Sequence, residues 1–190
     1  MSLRIIGGTF RNRPIHSPKG DQTRPTLAVL RKAVFDILQD AILDVDFLDV
    51  FAGSGAMGLE ALSRGAARAS FVENNRLALR CIESNIEQLG VKDQTRVYSS
   101  DAFHTLKRLA KTGPRFDIVY IDPPYEDNIK EQLLKELLLF LDAHPILNPG
   151  GTLFLEEAVP AATLPQTTSL QFVNSRTFSR SVLHQFRQPV

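Results

Sequence analysis

Between residues 46 and 157, short apolar runs alternate with segments of helical period. FLDVFA (47–52), ASFVE (69–73), TRVYSS (95–100), FDIVYID (116–122) and GGTLFLEE (150–157) read as strands. Residues 56–64, 75–89, 102–111 and 128–141 read as the helices between them, the first three stopped by Gly65, Gly90 and Gly113-Pro114. The Leu-rich run 133–141 reads as a core-facing helix surface. Such alternation predicts an α/β domain with a parallel sheet and helices on both faces. After residue 157 the rhythm changes. Strands near 169–174 and 182–187 follow with no helix between them, which predicts a hairpin closing the sheet edge. Ahead of the alternation, residues 4–16 read as a short hairpin or extended arm, and 17–25 as a loop. Thr26 is the expected N-cap of a helix over 27–40, with Leu27, Leu30, Val34, Ile37 and Leu38 on one face. The chain thus divides into an N-terminal extension, 1–44, and a main domain, 45–190.

Composition narrows the class. The 190 residues are 43% hydrophobic and 23% charged, as in an ordinary globular domain. No apolar run approaches a membrane span, and the N-terminus lacks the apolar stretch of a secretory signal. A cytoplasmic protein is expected. A single cysteine, Cys81, excludes an intramolecular disulfide and reads as a small buried hydrophobe. His16, His104, His144 and His184 lack metal-ligand spacing, so no metal is expected, and His104 and His184 read as surface or packing residues. The net charge of +1 conceals an asymmetry. Residues 1–32 carry +6, residues 160–190 carry +3, and the span between them carries −8. A basic head and tail around an acidic body suggest a surface for a polyanion.

The chemistry begins at the end of the first long strand. Gly53, Gly55 and Gly58 satisfy G-x-G-x-x-G directly after a strand and before a helix, a turn that lets backbone approach a ligand closely. Glu73 ends the next strand, where a carboxylate can accept from both hydroxyls of an adenosine ribose. The pair indicates a nucleoside cofactor and leaves NAD, FAD and S-adenosylmethionine open. Asp49 favours the last, because it could meet a methionine amino group whereas a pyrophosphate would gain nothing from an acid there. A solvent-facing or helix-capping acid is the plainer alternative. Asp101, after the third strand, can accept from an adenine amino group with the Ala102 N–H near the ring; it can also serve as a helix N-cap.

The fourth strand ends in Asp122-Pro123-Pro124-Tyr125. Two prolines stiffen the backbone and remove two N–H donors. What remains is a carboxylate, carbonyl oxygens and an aromatic ring, which suits a planar group bearing an NH2. Such a nitrogen is a poor nucleophile, because its lone pair is delocalised into the adjacent π-system. Hydrogen bonds from its N–H groups to Asp122 and to the Pro123 carbonyl would turn the lone pair toward an incoming methyl, while Tyr125 stacks on the ring. Catalysis would be mostly positioning.

With these motifs the chain resembles the class I S-adenosylmethionine-dependent methyltransferases. More closely it is similar to the RsmD family, which methylates guanine N2 in 16S rRNA. The resemblance is carried by RIIGG (4–8), TRPT (23–26), LDVFAGSGAMGLEALSRGA (48–66), Glu73, SSDA (99–102) and DPPY (122–125). It implies a Rossmann-like, mostly parallel seven-stranded sheet with an antiparallel last strand, and S-adenosylmethionine as cofactor. It implies a cofactor site of Asp49, Phe51, Gly53, Gly55, Glu73, Asn74, Asp101 and Ala102. The target base falls to Asp122, Pro123 and Tyr125, and RNA contact to Arg4, Arg11, Arg13, Arg24 and Arg31, with Arg24 and Thr26 near the mouth of the site. The base would have to leave its stack to reach Tyr125. The partner implied is 16S rRNA, within a small ribosomal subunit or an assembly intermediate, and a monomer is expected. Ala28, Val29 and Lys32 depart from the family's usual Asp, Arg and Glu, and Asn74 from its frequent Asp. Rival readings are an adenine-N6 methyltransferase on DNA, a protein-glutamine methyltransferase, a nicotinamide-dependent oxidoreductase and, last, a non-enzymatic RNA-binding module.

Overall fold

The computed structural model describes residues 3–18, 25–124, 130–159, 163–179 and 181–190. Its elements follow the alternation closely. Two short strands, β1 (Leu3–Arg4) and β2 (Pro14–Ile15), pair antiparallel and form the arm. Helix α1 (Pro25–Leu38) follows. Then come β3 (Asp46–Val50), α2 (Ala56–Ser63), β4 (Arg68–Glu73), α3 (Arg76–Leu89), β5 (Thr95–Ser99) and α4 (Ala102–Thr112). The chain continues through β6 (Phe116–Ile121), α5 (Lys130–Ala143), β7 (Leu147–Ala158), β8 (Gln171–Phe178) and β9 (Ser181–Arg187).

The main sheet has seven strands in the order β5-β4-β3-β6-β7-β9-β8. Strands β3 to β7 pair in parallel, while β9 runs antiparallel to both β7 and β8. The closing hairpin therefore inserts its second strand next to β7 and leaves β8 as the edge. Central β3 has β4 on one side and β6 on the other, so the order reverses there. In open α/β sheets the crevice beyond such a switch point is where ligands bind.

Local chemistry explains most boundaries. The Asn75 side chain accepts from the Leu77 and Ala78 N–H groups at the start of α3, and Gly90 ends that helix in the left-handed region at φ 71°. Several boundaries differ from the expected ones: α1 ends at Leu38, α5 runs Lys130–Ala143 and β8 runs Gln171–Phe178. Helix α1 begins at Pro25 rather than behind a Thr26 cap; proline in a first turn gives up an N–H that would be orphaned anyway. Strand β7 begins at Leu147 rather than residue 150. Its pairing with β6 skips from Phe116↔Leu147 to Ile118↔Thr152, and the irregularity accommodates Pro149, which cannot donate to a regular ladder.

The sheet buries a core on each face. Leu48, Val50, Val119, Ile121 and Leu155 meet α4 and α5, where Leu134, Leu137, Leu138 and Leu141 provide the expected apolar face. Phe47, Phe71 and Phe154 meet the other cluster, which contains Leu59 and Ile82 together with Ile5, Ile15, Leu30, Val34 and Phe35. The arm and α1 thus share a core with the sheet. Cys81 is half-buried on α3 rather than fully enclosed.

Glu60 and Asn85 are among the buried polar residues that tie the arm to the sheet's helices. Glu60 on α2 has 0% exposure. Its carboxylate accepts from the Ile6 and Gly7 N–H groups at 2.8 Å each and from Arg64 Nε at 2.8 Å, and Arg31 Nε lies 3.6 Å away. Asn85 on α3, also at 0% exposure, accepts from the His16 N–H and donates to the His16 and Ser54 carbonyls. Removing one partner of a buried ion pair strands the other charge, at a cost of roughly 3–5 kcal/mol. Glu60→Ala is therefore expected to lower the unfolding free energy by about 3 kcal/mol or more in denaturant titrations. A loss under about 1 kcal/mol, the range of a surface pair, would contradict a central role for Glu60.

Candidate active site

Strand β3 delivers the chain into the glycine turn. Phe51 adopts φ 61°, Gly53 φ 55° and Gly55 φ 76°. A positive φ is uncommon outside glycine and costly for a bulky residue, so Phe51 is held there by its packing on the α4/α5 side. The three motif glycines do different work. A Cβ on Gly58 would lie 2.4 Å from Phe71 Cε1, so this glycine lets α2 sit on the sheet. A Cβ on Gly53 would meet nothing within 4 Å, which leaves the turn open on that side.

Each acid expected at the cofactor site holds backbone in place and keeps acceptor capacity. Asp49, 2% exposed, accepts from the Gly58 N–H through Oδ2 at 3.0 Å. The capping role is thus realised, since Gly55, the N-cap of α2, brings no side-chain cap of its own. Burial, aided by nearby Glu73, raises the Asp49 pKa to about 7, against the opposing pull of the Gly58 hydrogen bond and Arg31. Glu73 accepts from Gly53 N–H through Oε2 at 2.8 Å, and from the Asn74 and Asn75 N–H groups through Oε1. It clasps the turn to the end of β4. Asp101 caps α4 by accepting from the His104 N–H at 2.9 Å, and is exposed. Asn74 is exposed at the strand end, while Ala102 is buried at the start of α4.

Asp122 follows β6, the other neighbour of β3. Its N–H reaches the Val50 carbonyl at 3.3 Å, so the Asp-Pro-Pro turn and the glycine turn leave adjacent strands side by side. Asp122 is half-buried, Pro123 buried and Pro124 exposed. Tyr125 lies outside the described residues. Beneath this turn, Tyr120 donates its hydroxyl to Glu156 on β7. Both are buried, and burial, reinforced by Glu156, Asp122 and Asp49, pushes the phenol well above its usual range. Tyr120 therefore stays a neutral donor under an acidic site.

Of the expected RNA contacts, Arg4, Arg11 and Arg13 are exposed on the arm, and Arg24 lies outside the described residues. Arg31 does not face an RNA. It is 3% exposed, donates to the Arg4 carbonyl at 2.7 Å and faces Glu60. A guanidinium inside the core presents nothing to a phosphate, and the correction makes Arg31 a fastener of the arm. His184 is a packing residue, as expected, held between Ser175 at 2.6 Å and Glu157 at 3.3 Å. Sequence reading passed over Glu60, Asn85 and the Tyr120–Glu156 pair. A lone acid in the apolar helix AMGLEALS was the available signal for Glu60. Among the described residues no cluster of His, Cys, Asp and Glu could hold a metal ion.

A seven-stranded sheet with one antiparallel strand, a glycine turn at its switch point and an Asp-Pro-Pro turn beside it define a methyltransferase of Rossmann-like fold. Residues 3–187 match the family described as conserved hypothetical protein 95. The ribosomal RNA small subunit methyltransferase D of Escherichia coli K12 is 36% identical over 170 residues, covering 88% of this chain and 82% of that protein. The solved structure of yhhF from Escherichia coli, a candidate methyltransferase, superposes with a TM-score of 0.82 at 31% identity, covering 100% of this chain and 99% of the other. A further candidate methyltransferase, SMU.776, was solved with S-adenosylhomocysteine; at 12% identity, a TM-score of 0.71 and coverage of 94% and 52%, it shares the fold alone. The chain belongs to the RsmD family of methyltransferases.

The raised pKa of Asp49 has a consequence for stability. Its folded value, about 7, lies above its unfolded value, 3.8. The stabilisation it contributes is complete below the unfolded value and is lost as pH rises through the folded one. Asp49→Asn is expected to remove this decline between pH 4 and 7. Chemical denaturation of both proteins across that range measures it, and equal slopes would refute it.

Proposed function

We propose that this chain transfers a methyl group from S-adenosylmethionine to the exocyclic N2 of a guanine in 16S ribosomal RNA. The observation that carries this reading is the adjacency of the two turns: Asp122 N–H on the Val50 carbonyl brings an amine-orienting carboxylate beside a nucleoside-binding turn. The printed name of the Escherichia coli relative supports small-subunit rRNA as the substrate class.

The residues present fit the cofactor. Gly53 leaves space against the turn, and Glu73 Oε2, with one donor at 2.8 Å, keeps a lone pair for a ribose hydroxyl. Asp49, with Oδ2 on Gly58, has Oδ1 for the methionine ammonium, and Asp101, with Oδ1 on His104, has Oδ2 for the adenine amino group. Phe51, Asn74 and Ala102 complete the surround. When bound, S-adenosylmethionine supplies a methyl group made electrophilic by its sulfonium.

The chain's own residues do the rest. The Asp122 carboxylate and the Pro123 carbonyl accept the two N–H bonds of the amino group and so aim its lone pair. Pro123 and Pro124 offer no N–H that would compete for those acceptors. Tyr125 stacks on the base. The departing proton goes to Asp122 or to water, so no strong base is needed. Tyr120, hydrogen-bonded to Glu156, supports the turn from below. Residues 1–44 act as the RNA-facing extension, with Arg4, Arg11, Arg13 and Arg24 as its contacts. The substrate is 16S rRNA, free or in an assembling small subunit, met by a monomer in the cytoplasm.

Radiolabelled S-adenosylmethionine offered with small subunits, free 16S rRNA, duplex DNA and protein extract tests the reading. Label is expected in N2-methylguanosine; label confined to DNA or protein would overturn it. Asp122→Ala is expected to keep S-adenosylhomocysteine affinity within a few-fold and to lose turnover by about 100-fold or more. Equal losses of both would remove its orienting role. Arg11→Gln with Arg13→Gln is expected to flatten the salt dependence of RNA binding, and an unchanged slope would take the arm out of the interface.

A further inference from the structure

We propose that the β5/α4 flank of the sheet is a second phosphate-binding surface for the RNA substrate, assembled on the ring of Tyr98. The inference rests on the RNA reading above.

The span between the basic head and tail is acidic overall, yet residues 92–115 run against it. They carry Lys92, Arg96, Lys107, Arg108, Lys111 and Arg115 against Asp93 and Asp101. Strand β5 is the edge strand beyond β4, and α4 covers the neighbouring face. The fold therefore gathers these residues on one flank. Tyr98, 6% exposed, is packed in the α4/α5 core. The Arg96 guanidinium carbon lies 5.0 Å from its ring centroid and that of Arg108 lies 5.4 Å away. Next to them, Lys107 Nζ lies 5.2 Å from the Phe103 centroid.

Their surroundings differ from those of the ion-paired cations. Arg64 and Arg68 each have a carboxylate within hydrogen-bond reach, as does Lys32. Arg96, Arg108 and Lys107 have only aromatic faces among the described residues. A π-face attracts a cation without neutralising it. Among the described residues, two guanidinium forks thus converge on one ring with no carboxylate taking up their N–H donors. A guanidinium fork matches phosphate geometry bidentately, and a sequence-independent backbone contact needs only this. Phosphodiester is favoured over an acidic protein segment because two planar forks, each matched to phosphate, share one buried ring. The arm packs on the opposite face of the sheet, among α1, α2 and α3. An RNA held on both surfaces is gripped from two sides of the molecule.

Binding of free 16S rRNA across a salt series tests this with the full chain. Arg96→Gln with Arg108→Gln is expected to reduce the slope of log K against log salt by about 1.4, two phosphate contacts on a single strand. S-adenosylhomocysteine affinity should not change. Arg96→Lys with Arg108→Lys, which keeps the charge, should retain most of the slope. Tyr98→Phe, which keeps the ring, should retain all of it. An unchanged slope in the double Gln variant, with the Arg11/Arg13 variant flattened, would overturn this surface and spare the RNA reading. Absence of RNA binding by the unaltered chain would overturn both.

Discussion

A carboxylate removed from water has to find partners, and Glu60 finds all of its partners in the arm and its neighbours. Backbone N–H groups of Ile6 and Gly7, the Arg64 side chain and the nearby Arg31 surround it. Desolvating such a group costs several kcal/mol unless the geometry and the hydrogen bonds are good. The arm, α1 and α2 are consequently drawn to one point. Because α2 springs from the glycine turn, whatever orients α2 also orients the turn. Asn85 repeats the device on α3, joining His16 to Ser54 inside the turn itself. The basic arm and the glycine turn are thereby one mechanical unit.

The acids of the site follow a common plan. Asp49 caps α2, Glu73 clasps the glycine turn and Asp101 caps α4. Each carboxylate is oriented by backbone donors before any ligand arrives. Preorganisation of this kind removes the cost of ordering the site at the moment of binding. Capping and the proposed ligand roles need not compete here, because a carboxylate has several lone pairs and the backbone uses only some of them.

Much of this was legible in the chain. FDIVYID, SSD and the glycine segment announced strands, caps and turns because their signals are local: period, breaker residues and short-range capping. The candidate acids Asp49, Glu73 and Asp101 were legible for the same reason, as each lies at or near the carboxyl end of a strand and in a parallel sheet those ends share one side. The start of β7 was not, because Pro149 is tolerated only through an irregularity in its pairing with β6, a partner distant in sequence.

The sequence by itself determined the element order, the α/β class, the candidate cofactor and base-binding residues and the basic character of the head. These follow from composition and spacing along one segment at a time. Tertiary structure alone decided which charges meet. It took Arg31 out of the basic surface and into the core, made Glu60 and Asn85 the joints of the arm, set Tyr120 under Asp122, and stacked Arg96 and Arg108 on one ring. The physical reason is that burial and electrostatic pairing are properties of neighbours in space, 20 to 70 residues apart in the chain for Gly53–Glu73, Arg31–Arg4 and Asn85–His16. No window along the sequence spans them.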